Sequence, residues 1–272
     1  MTDDHGKKQE LSVVLATFNE EKNLSECLNS VSDLTDEIVV VDGSSKDRTV
    51  EIARKYGAKV TVTENRPNFH INKQKAIDLA TKDWILQLDA DERVTPKLAQ
   101  EIKSKIRNQK SEINGYWIPR KNWFLGRFLM KGGQYPDYTL RLYRKGKGHL
   151  PQKDVHEQTV VEGKVGYLSA PLLHYPYENF SFYIHKWNRY NVFLARQIEE
   201  NLKNKSYLET IVYGIGYLVV KPSHWFLTTY FRHKGFMDSW QGFAFSFFSA
   251  MRFPLGYIKY LKTLSKAFKA KD

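Results

Sequence analysis

The 272-residue chain has a single cysteine, Cys27, which excludes any intrachain disulfide and suits a reducing compartment. It lacks the run of about 20 uninterrupted apolar residues that a bilayer-spanning helix needs. The best candidate, in the last quarter, is interrupted by Lys221, Pro222 and His224. Its first ten residues, MTDDHGKKQE, hold no apolar stretch, so no signal peptide is expected and a cytoplasmic location is. Internal repeats and low-complexity linkers are also missing. Acidic residues are outnumbered, 30 Asp and Glu against 42 Lys and Arg, which leaves a formal charge of +12. A chain this basic favours an anionic partner: nucleic acid, a phosphorylated substrate or an anionic lipid surface.

What is present is an alternation. LSVVLAT (11–17), EIVVVDGSS (37–45), KVTVTE (59–64) and WILQLD (84–89) are apolar, β-branched runs that predict strands. Between them, 19–34, 46–58 and 71–81 have helical spacing, the second closing at Gly57. Pro96 then opens a further helix, where a first turn tolerates proline. Strands apolar throughout and separated by helices indicate an α/β fold with a parallel sheet covered on both faces. From 115 to 175 the style changes to shorter strands with glycine-containing turns, which predicts antiparallel additions to that sheet. From 179 onward the chain reads as helical, with apolar-aromatic segments broken at Pro222 and Gly235.

In parallel sheets ligands bind beyond the carboxyl ends of the strands, and three such ends here are polar: Thr17-Phe18-Asn19-Glu20, Asp42-Gly43-Ser44-Ser45 and Asp89-Ala90-Asp91-Glu92. An aspartate after a strand is a common turn residue, so the last of these is weak when taken alone. Two carboxylates on one short turn nevertheless repel each other unless a cation lies between them. A hard divalent ion, Mg²⁺ or Mn²⁺, takes oxygen ligands and typically combines one or two carboxylates with substrate phosphates. A metal-bridged nucleoside diphosphate would engage the other strand ends as well. Asp42 can accept a hydrogen bond from base or ribose, Thr17 and Glu20 can line a base pocket, and Lys73 and Lys75 can bring positive charge to a phosphate.

LATFNEE, VDGSSKDRT and NKQKAIDLATKDWILQLDADE, in this order and spacing, resemble the nucleotide-binding half of family 2 glycosyltransferases, which have the GT-A fold: a Rossmann-like, mostly parallel sheet with helices on both faces. The stretch YPDYTLRLYRKGKG, followed by VHEQTVVEGKVGYL and LLHYPYENFSFYIHKWNRY, is similar to the subgroup that builds lipopolysaccharide or lipooligosaccharide core, of the beta-1,4-glucosyltransferase type. The resemblance implies an inverting, metal-dependent transfer of a sugar, glucose by the subgroup match, from a nucleoside diphosphate, UDP by the family match. It places Thr17, Asn19, Glu20 and Asp42 around the nucleotide, with Asp47 in support, Asp89 on ribose or sugar and Asp91 on the metal. Lys73-Gln74 stands where relatives commonly have Arg-Asn; the lysine keeps the charge needed for a diphosphate contact but loses the bidentate fork. An inverting transfer needs a base for the acceptor hydroxyl. Asp137, Asp154, His156 and Glu157 are the candidates, and the resemblance favours Glu157, with His156 beside it. It assigns Asp137 and Arg141 to acceptor or phosphate, and His174 to completing the metal shell, a role a neutral imidazole can fill.

These expectations divide the chain into a GT-A domain over 10–178, with a nucleotide-sugar half (10–110) and an acceptor and catalytic half (111–178), and a helical, basic-aromatic region over 179–272. From Lys203 onward eleven Lys and Arg face three Asp and Glu, so about +8 of the +12 lies here, among crowded Trp, Phe and Tyr. That composition fits segments lying in a membrane interface and drawn to anionic lipid. It predicts a peripheral enzyme on the inner face of the cytoplasmic membrane acting on a lipid-linked saccharide. Nucleic acid is not the expected partner, because the basic residues accompany long apolar helices rather than interleaving with aromatics along a groove. The alternative function is a membrane-surface binding protein with a degenerate nucleotide site, against which intact Asp42, Asp89 and Asp91 argue.

Overall fold

The structure, a computed structural model, describes residues 10–108, 111–152 and 158–269. The chain divides into two compact units, one of residues 1–121 and 136–175, the other of 122–135 and 176–272.

The first unit is the α/β layer. β1 (Leu11–Thr17), β2 (Glu37–Asp42), β3 (Lys59–Val62) and β4 (Trp84–Leu88) lie parallel in the spatial order 3-2-1-4. α1 (Leu24–Asn29), α2 (Thr49–Lys55) and α3 (His70–Leu79) are the crossovers between them. Period-two alternation sends Leu11, Val13 and Leu15 into one core and Val14 into another; Trp84, Leu86 and Leu88 likewise oppose Ile85. The first core takes in Leu24 and Leu28 of α1 and Leu98 and Ile102 of α4 (Pro96–Arg107). The second is closed by Ala76 and Ile77 of α3. Both faces are therefore covered, which is why β1, β2 and β4 read as apolar throughout. Pro96 opens α4 as expected, behind Thr95, whose hydroxyl accepts the Leu98 N–H at 3.1 Å.

β4 is followed by the short β5 (Glu92–Val94). Beyond β4 the sheet continues through β6 (Ile113–Phe124) and, after β7 (Arg127–Phe128), β8 (Asp137–Arg144), with β8 antiparallel to both β4 and β6. β9 (Gly148–His149) and β10 (Val160–Val161) form a separate two-stranded ribbon. β11 (Lys164–Tyr167) adds to β6 in the parallel sense, contrary to the antiparallel expectation: nothing local to its sequence encodes which way a long return will pair. β12 (Leu172–His174) runs antiparallel to β5 and sets His174 opposite Glu92. The helix expected over 19–34 shortens to α1. Asn19 adopts a left-handed φ of 55°, and the N–H groups of Asn19, Glu20 and Glu21 bond to Ser45, Thr49 and Asp47 instead of a helical turn.

In the second unit α5 (Phe180–Leu202), α6 (Tyr207–Ile215) and α8 (Ser239–Lys269) gather around Ile198, Tyr217, Tyr257 and Tyr260, and α7 (Lys221–Phe226) meets α8 where Trp225 stands edge-on to Phe253. Asp238, buried, accepts the N–H groups of Met130 and Lys131 and pairs with Arg127, which ties 122–135 to this unit. Pro222 does not break the chain as its sequence suggests. It lies in helical backbone that runs on from α6 without a break, Val220 and Lys221 both keeping helical dihedrals. π-helical turns over Gly216–Val220 and Leu227–Arg232 flank it, and such turns absorb local register changes. No helix among the described residues is long and apolar enough to cross a membrane.

The amino ends of the strands are fastened by Glu37. Its carboxylate accepts the Ser12 hydroxyl, the Thr81 N–H and hydroxyl, and the ammonium of Lys59 at 2.6 Å. Burial pushes its pKa up, but these donors win and bring it down to about 2. A depressed pKa gives stabilisation that is complete above the ordinary glutamate range and lost as pH falls through the folded value. Glu37→Gln is expected to remove about 1.5–3 kcal/mol at neutral pH, the worth of hydrogen bonds to a charged group. In urea titrations between pH 7 and pH 2 the variant should lose less stability on acidification than the wild type.

Candidate active site

The first two polar strand ends form one stitched structure. Asp42, fully buried, accepts from the Thr17 hydroxyl at 2.8 Å and from the N–H and hydroxyl of Ser45 at 2.7 and 2.6 Å. Asn19 accepts the Lys46 N–H, and Asp47 accepts from Glu21 N–H and from the N–H and hydroxyl of Thr49. Burial raises the pKa of Asp47, but those donors outweigh it and hold it below the ordinary aspartate value. The geometry thus sorts the residues named from the sequence. Thr17, Asp42 and Asp47 hold the two loops together, whereas Phe18 and Asn19 are exposed and Glu20 half-buried at the surface those loops make.

The third strand end carries a ladder of alternating charge. Asp89, just past β4, meets the Lys73 ammonium of α3 and the Arg141 guanidinium of β8, the latter at 2.6 Å. The same Arg141 nitrogen lies 3.1 Å from Glu92, whose carboxylate also receives Arg120 of β6 at 3.4 Å. Arg120 closes on Asp137 with two bonds, at 2.7 and 3.0 Å. The order is Asp137, Arg120, Glu92, Arg141, Asp89, Lys73: three negative and three positive groups with no net charge. Glu92 is 0% exposed and accepts the Asp89 N–H at 3.0 Å through its other oxygen, so it also fixes the turn.

Electrostatics follows from this placement. Burial pushes the Asp89 carboxyl up, yet Arg141 and Lys73 more than reverse it and hold it well below the usual carboxylate range. Burial opposes the charge on Arg141, but Asp89 and Glu92 overcome it and raise its pKa; Arg120 is raised against burial in the same way by Glu92 and Asp137. Asp89, Arg141 and Arg120 therefore stay charged at neutral pH. Lys73 also lies over the Phe69 ring at 4.9 Å. Lys73 and Arg141 are therefore engaged by protein carboxylates, whereas Lys75 is exposed on α3.

Asp91 stands apart from the ladder. Its Oδ2 is 3.4 Å from Nε2 of His174, and its carbonyl accepts the Tyr175 N–H at 2.8 Å. The pairing of β12 with β5 thus brings together two residues 83 positions apart. Their 3.4 Å separation is close to the roughly 3 Å between neighbouring ligands of one octahedral ion, and a carboxylate with an imidazole is a workable donor pair for a divalent cation. Among the described residues no group of three or more His, Cys, Asp and Glu gathers to form a complete protein cage, so a cation held here would draw most of its shell from elsewhere. His156 and Glu157, with Asp154, lie outside the described residues.

Sequence reasoning singled out Asp89, Asp91, Asp137, Arg141, Lys73 and His174, and the structure brings all six to one edge of the sheet. It missed the roles of Glu92 and Arg120. The available signal for Glu92 was a glutamate inside an otherwise buried turn and strand; Arg120, followed by Lys121 and Asn122, resembled a solvated strand residue. Glu92→Gln weakens the acceptor shared by buried Arg141 and half-buried Arg120. It is expected to lower stability by about 3 kcal/mol, at the lower end for breaking a buried ion pair because Asp89 and Asp137 remain as partners. Chemical unfolding should report a larger loss than for Glu51→Gln, whose Arg48 partner is exposed.

Comparison with known proteins supplies the family. The model of glycosyl transferase family 2 matches residues 12–159. The lipopolysaccharide core biosynthesis glycosyltransferase LpsC of Rhizobium meliloti (strain 1021) is 30% identical over 259 residues, covering 90% of this chain and 92% of the relative. An uncharacterized glycosyltransferase of Rickettsia typhi is 27% identical over 248 residues, 87% of this chain and 81% of the relative. Among solved structures, glucosyl-3-phosphoglycerate synthase from Mycobacterium tuberculosis, crystallised with Mn²⁺, UDP and glucosyl-3-phosphoglycerate, shares 23% identity over 43% of this chain and 45% of that one, with a TM-score of 0.35. With the family match spanning more than half of its length and an LpsC likeness running through nearly all of it, the chain belongs to glycosyl transferase family 2 and is a glycosyltransferase.

Proposed function

We propose that this enzyme is an inverting, metal-dependent transferase that moves a sugar, glucose as the leading choice, from a UDP-sugar to a lipid-linked saccharide such as the lipopolysaccharide inner core. The observation that carries the donor site is the seating of Asp91 against His174 beside the Asp89, Arg141 and Lys73 cluster, at the carboxyl end of β4. The named function of the LpsC relative supports the acceptor class. Family resemblance alone stands behind uridine and glucose.

In this proposal Asn19 and Glu20 meet the nucleotide at the surface of loops that Thr17, Asp42 and Asp47 hold in place. Asp89 contacts ribose or sugar, kept ionised by its two cations. Lys73 and Arg141 offset Asp89 and Glu92 and so lower the repulsion a diphosphate meets at the strand tip, and Asp137, clamped by Arg120, orients the acceptor. Asp91 and His174 are the residues that would hold the divalent cation, Mg²⁺ or Mn²⁺. Bound there, such an ion offsets the charge that grows on a leaving diphosphate. The acceptor hydroxyl oxygen forms its bond to the anomeric carbon as the bond from that carbon to the diphosphate breaks, and the hydroxyl proton passes to a base. Glu157 is the proposed base, with His156 its neighbour. Inversion follows from this single displacement, with no covalent enzyme intermediate.

Peripheral attachment to the inner face of the cytoplasmic membrane is the companion proposal. The charge excess after Lys203 supports it, as do exposed apolar side chains on the second unit, among them Leu208, Val212, Val219, Phe231 and Trp240.

Thermal unfolding with UDP, GDP, CDP and ADP, each with and without Mn²⁺, tests the donor site. Ligand at a hundred times its dissociation constant adds about 2.7 kcal/mol, a rise on the order of 5–10 °C for a chain of this size. The rise is expected with UDP, should require Mn²⁺, and should vanish in Asp91→Ala. If no nucleotide shifts the transition, the donor proposal fails and a membrane-surface protein with a degenerate nucleotide site takes its place.

A further inference from the structure

Among the described residues, Lys221 and Arg252 of the second unit lie against aromatic rings and have no anionic partner. The guanidinium carbon of Arg252 lies 4.6 Å from the Trp225 ring centroid and 4.8 Å from that of Phe253. The Lys221 ammonium lies 3.5 Å from the Tyr217 centroid and 5.3 Å from that of Tyr213. These rings form one cluster: Tyr213 stacks on Tyr217 at 4.7 Å, and Phe253 stands 5.9 Å from both Tyr217 and Trp225. Among the described residues neither cation has a carboxylate within ion-pair distance or a side-chain hydrogen bond. Arg93, Arg120, Arg127 and Arg141 each have a carboxylate. Burial lowers the pKa of Arg252, with only Tyr217 acting the other way.

Ring faces satisfy a cation from one side only. A guanidinium set against aromatic rings still carries its N–H donors in one planar fork, the geometry that takes two oxygens of a phosphate. The surroundings say which phosphate. Leu208, Ile211, Val212, Ile215, Leu218 and Val219 are exposed on the helical stretch leading to Lys221, at helical spacing. Lys221 is the sole formal charge between Glu209 and Arg232. Two cations on one aromatic cluster, one of them three residues past exposed Leu218 on the same helical stretch, match a molecule with an anionic head and apolar tails.

We propose that Lys221 and Arg252 seat the phosphate of an anionic phospholipid headgroup, with the Leu208–Val219 stripe against the acyl chains. This rests on the membrane reading above and adds a defined lipid site to it. A diffuse field would treat all exposed basic residues of the tail alike; a seat does not.

The test is co-sedimentation of the full-length protein with vesicles of phosphatidylcholine alone or of equal parts phosphatidylcholine and phosphatidylglycerol. The variants are Lys221→Gln/Arg252→Gln and the charge-matched control Lys203→Gln/Lys262→Gln, whose lysines are exposed. Wild type is expected to prefer the anionic vesicles. Each removed charge costs about fivefold in partitioning from the field alone, so the control should retain part of the binding. The seat variant should fall about tenfold further through lost charge-assisted hydrogen bonds. Thermal unfolding checks that each variant is folded. Arg252→Lys keeps the charge but not the fork, and should still weaken anionic-vesicle binding relative to wild type. Equal losses in the two double variants overturn the seat while leaving the membrane reading standing. Absence of wild-type binding to either vesicle overturns both. If inorganic phosphate raises the unfolding temperature of wild type and not of Lys221→Gln/Arg252→Gln, while the two double variants bind vesicles equally, the seat belongs to free phosphate and the lipid assignment is wrong.

Discussion

Charge neutrality across the Asp137–Lys73 ladder is the constraint on which the sheet's functional edge depends. Glu92, Arg141 and Lys73 are buried and the other three members half-buried, and charges so placed need partners, since an isolated buried charge costs several kcal/mol even after relaxation. The ladder solves this with members drawn from α3, the end of β4, β5, β6 and β8. It is the reason β8 can lie against β4 at all: an antiparallel strand placed beside an acidic tip has to bring cations, and Arg141 is the one it brings. Glu92, buried between two arginines, is the pivot that makes one network of what would otherwise be two ion pairs.

The ladder also separates Asp89 from Asp91. The sequence motif presents them as equivalent acids one residue apart, but Asp89 is compensated from within the protein while Asp91 faces an imidazole. Repulsion between the two is relieved on the Asp89 side by fixed cations, which leaves the Asp91 side as the place where a diffusible cation makes the larger difference. That division agrees with the proposed roles, ribose or sugar for the first and metal for the second.

Much of this architecture was legible before the fold was known. β1, β2 and β4 declare themselves because both faces of each are buried, so their central positions are almost all apolar, and Gly57 ends its helix with a φ of 74° where glycine is free to go. The convergence of three polar strand ends was legible for the same reason: polar residues after fully buried strands stand out. Other features were hidden by the kind of information a local pattern holds. The parallel addition of β11, the register that places His174 near Asp91, and the inward aim of Arg120 all depend on which distant strand becomes a neighbour. Pro222 misled because neighbouring π-helical turns let the helical backbone carry on past its missing N–H. The burial of Asp42, Lys73 and Arg141 among internal partners was likewise invisible, since a charged residue looks the same in a string whether it faces a ligand or another side chain.

The order in which the ladder's members occur along the chain bears on synthesis. Lys73, Asp89 and Glu92 emerge from the ribosome first, Arg120 some 28 residues later and Arg141 later still. At about 5–20 residues per second, the first four strands exist for seconds with two carboxylates and one lysine at their tip. Until β6 and β8 are delivered, burying that tip would strand an uncompensated negative charge. The nascent nucleotide-binding half therefore has reason to stay open at this corner and to close only once the antiparallel strands arrive, which makes completion of the site a late event coupled to arginines that the first hundred residues do not contain.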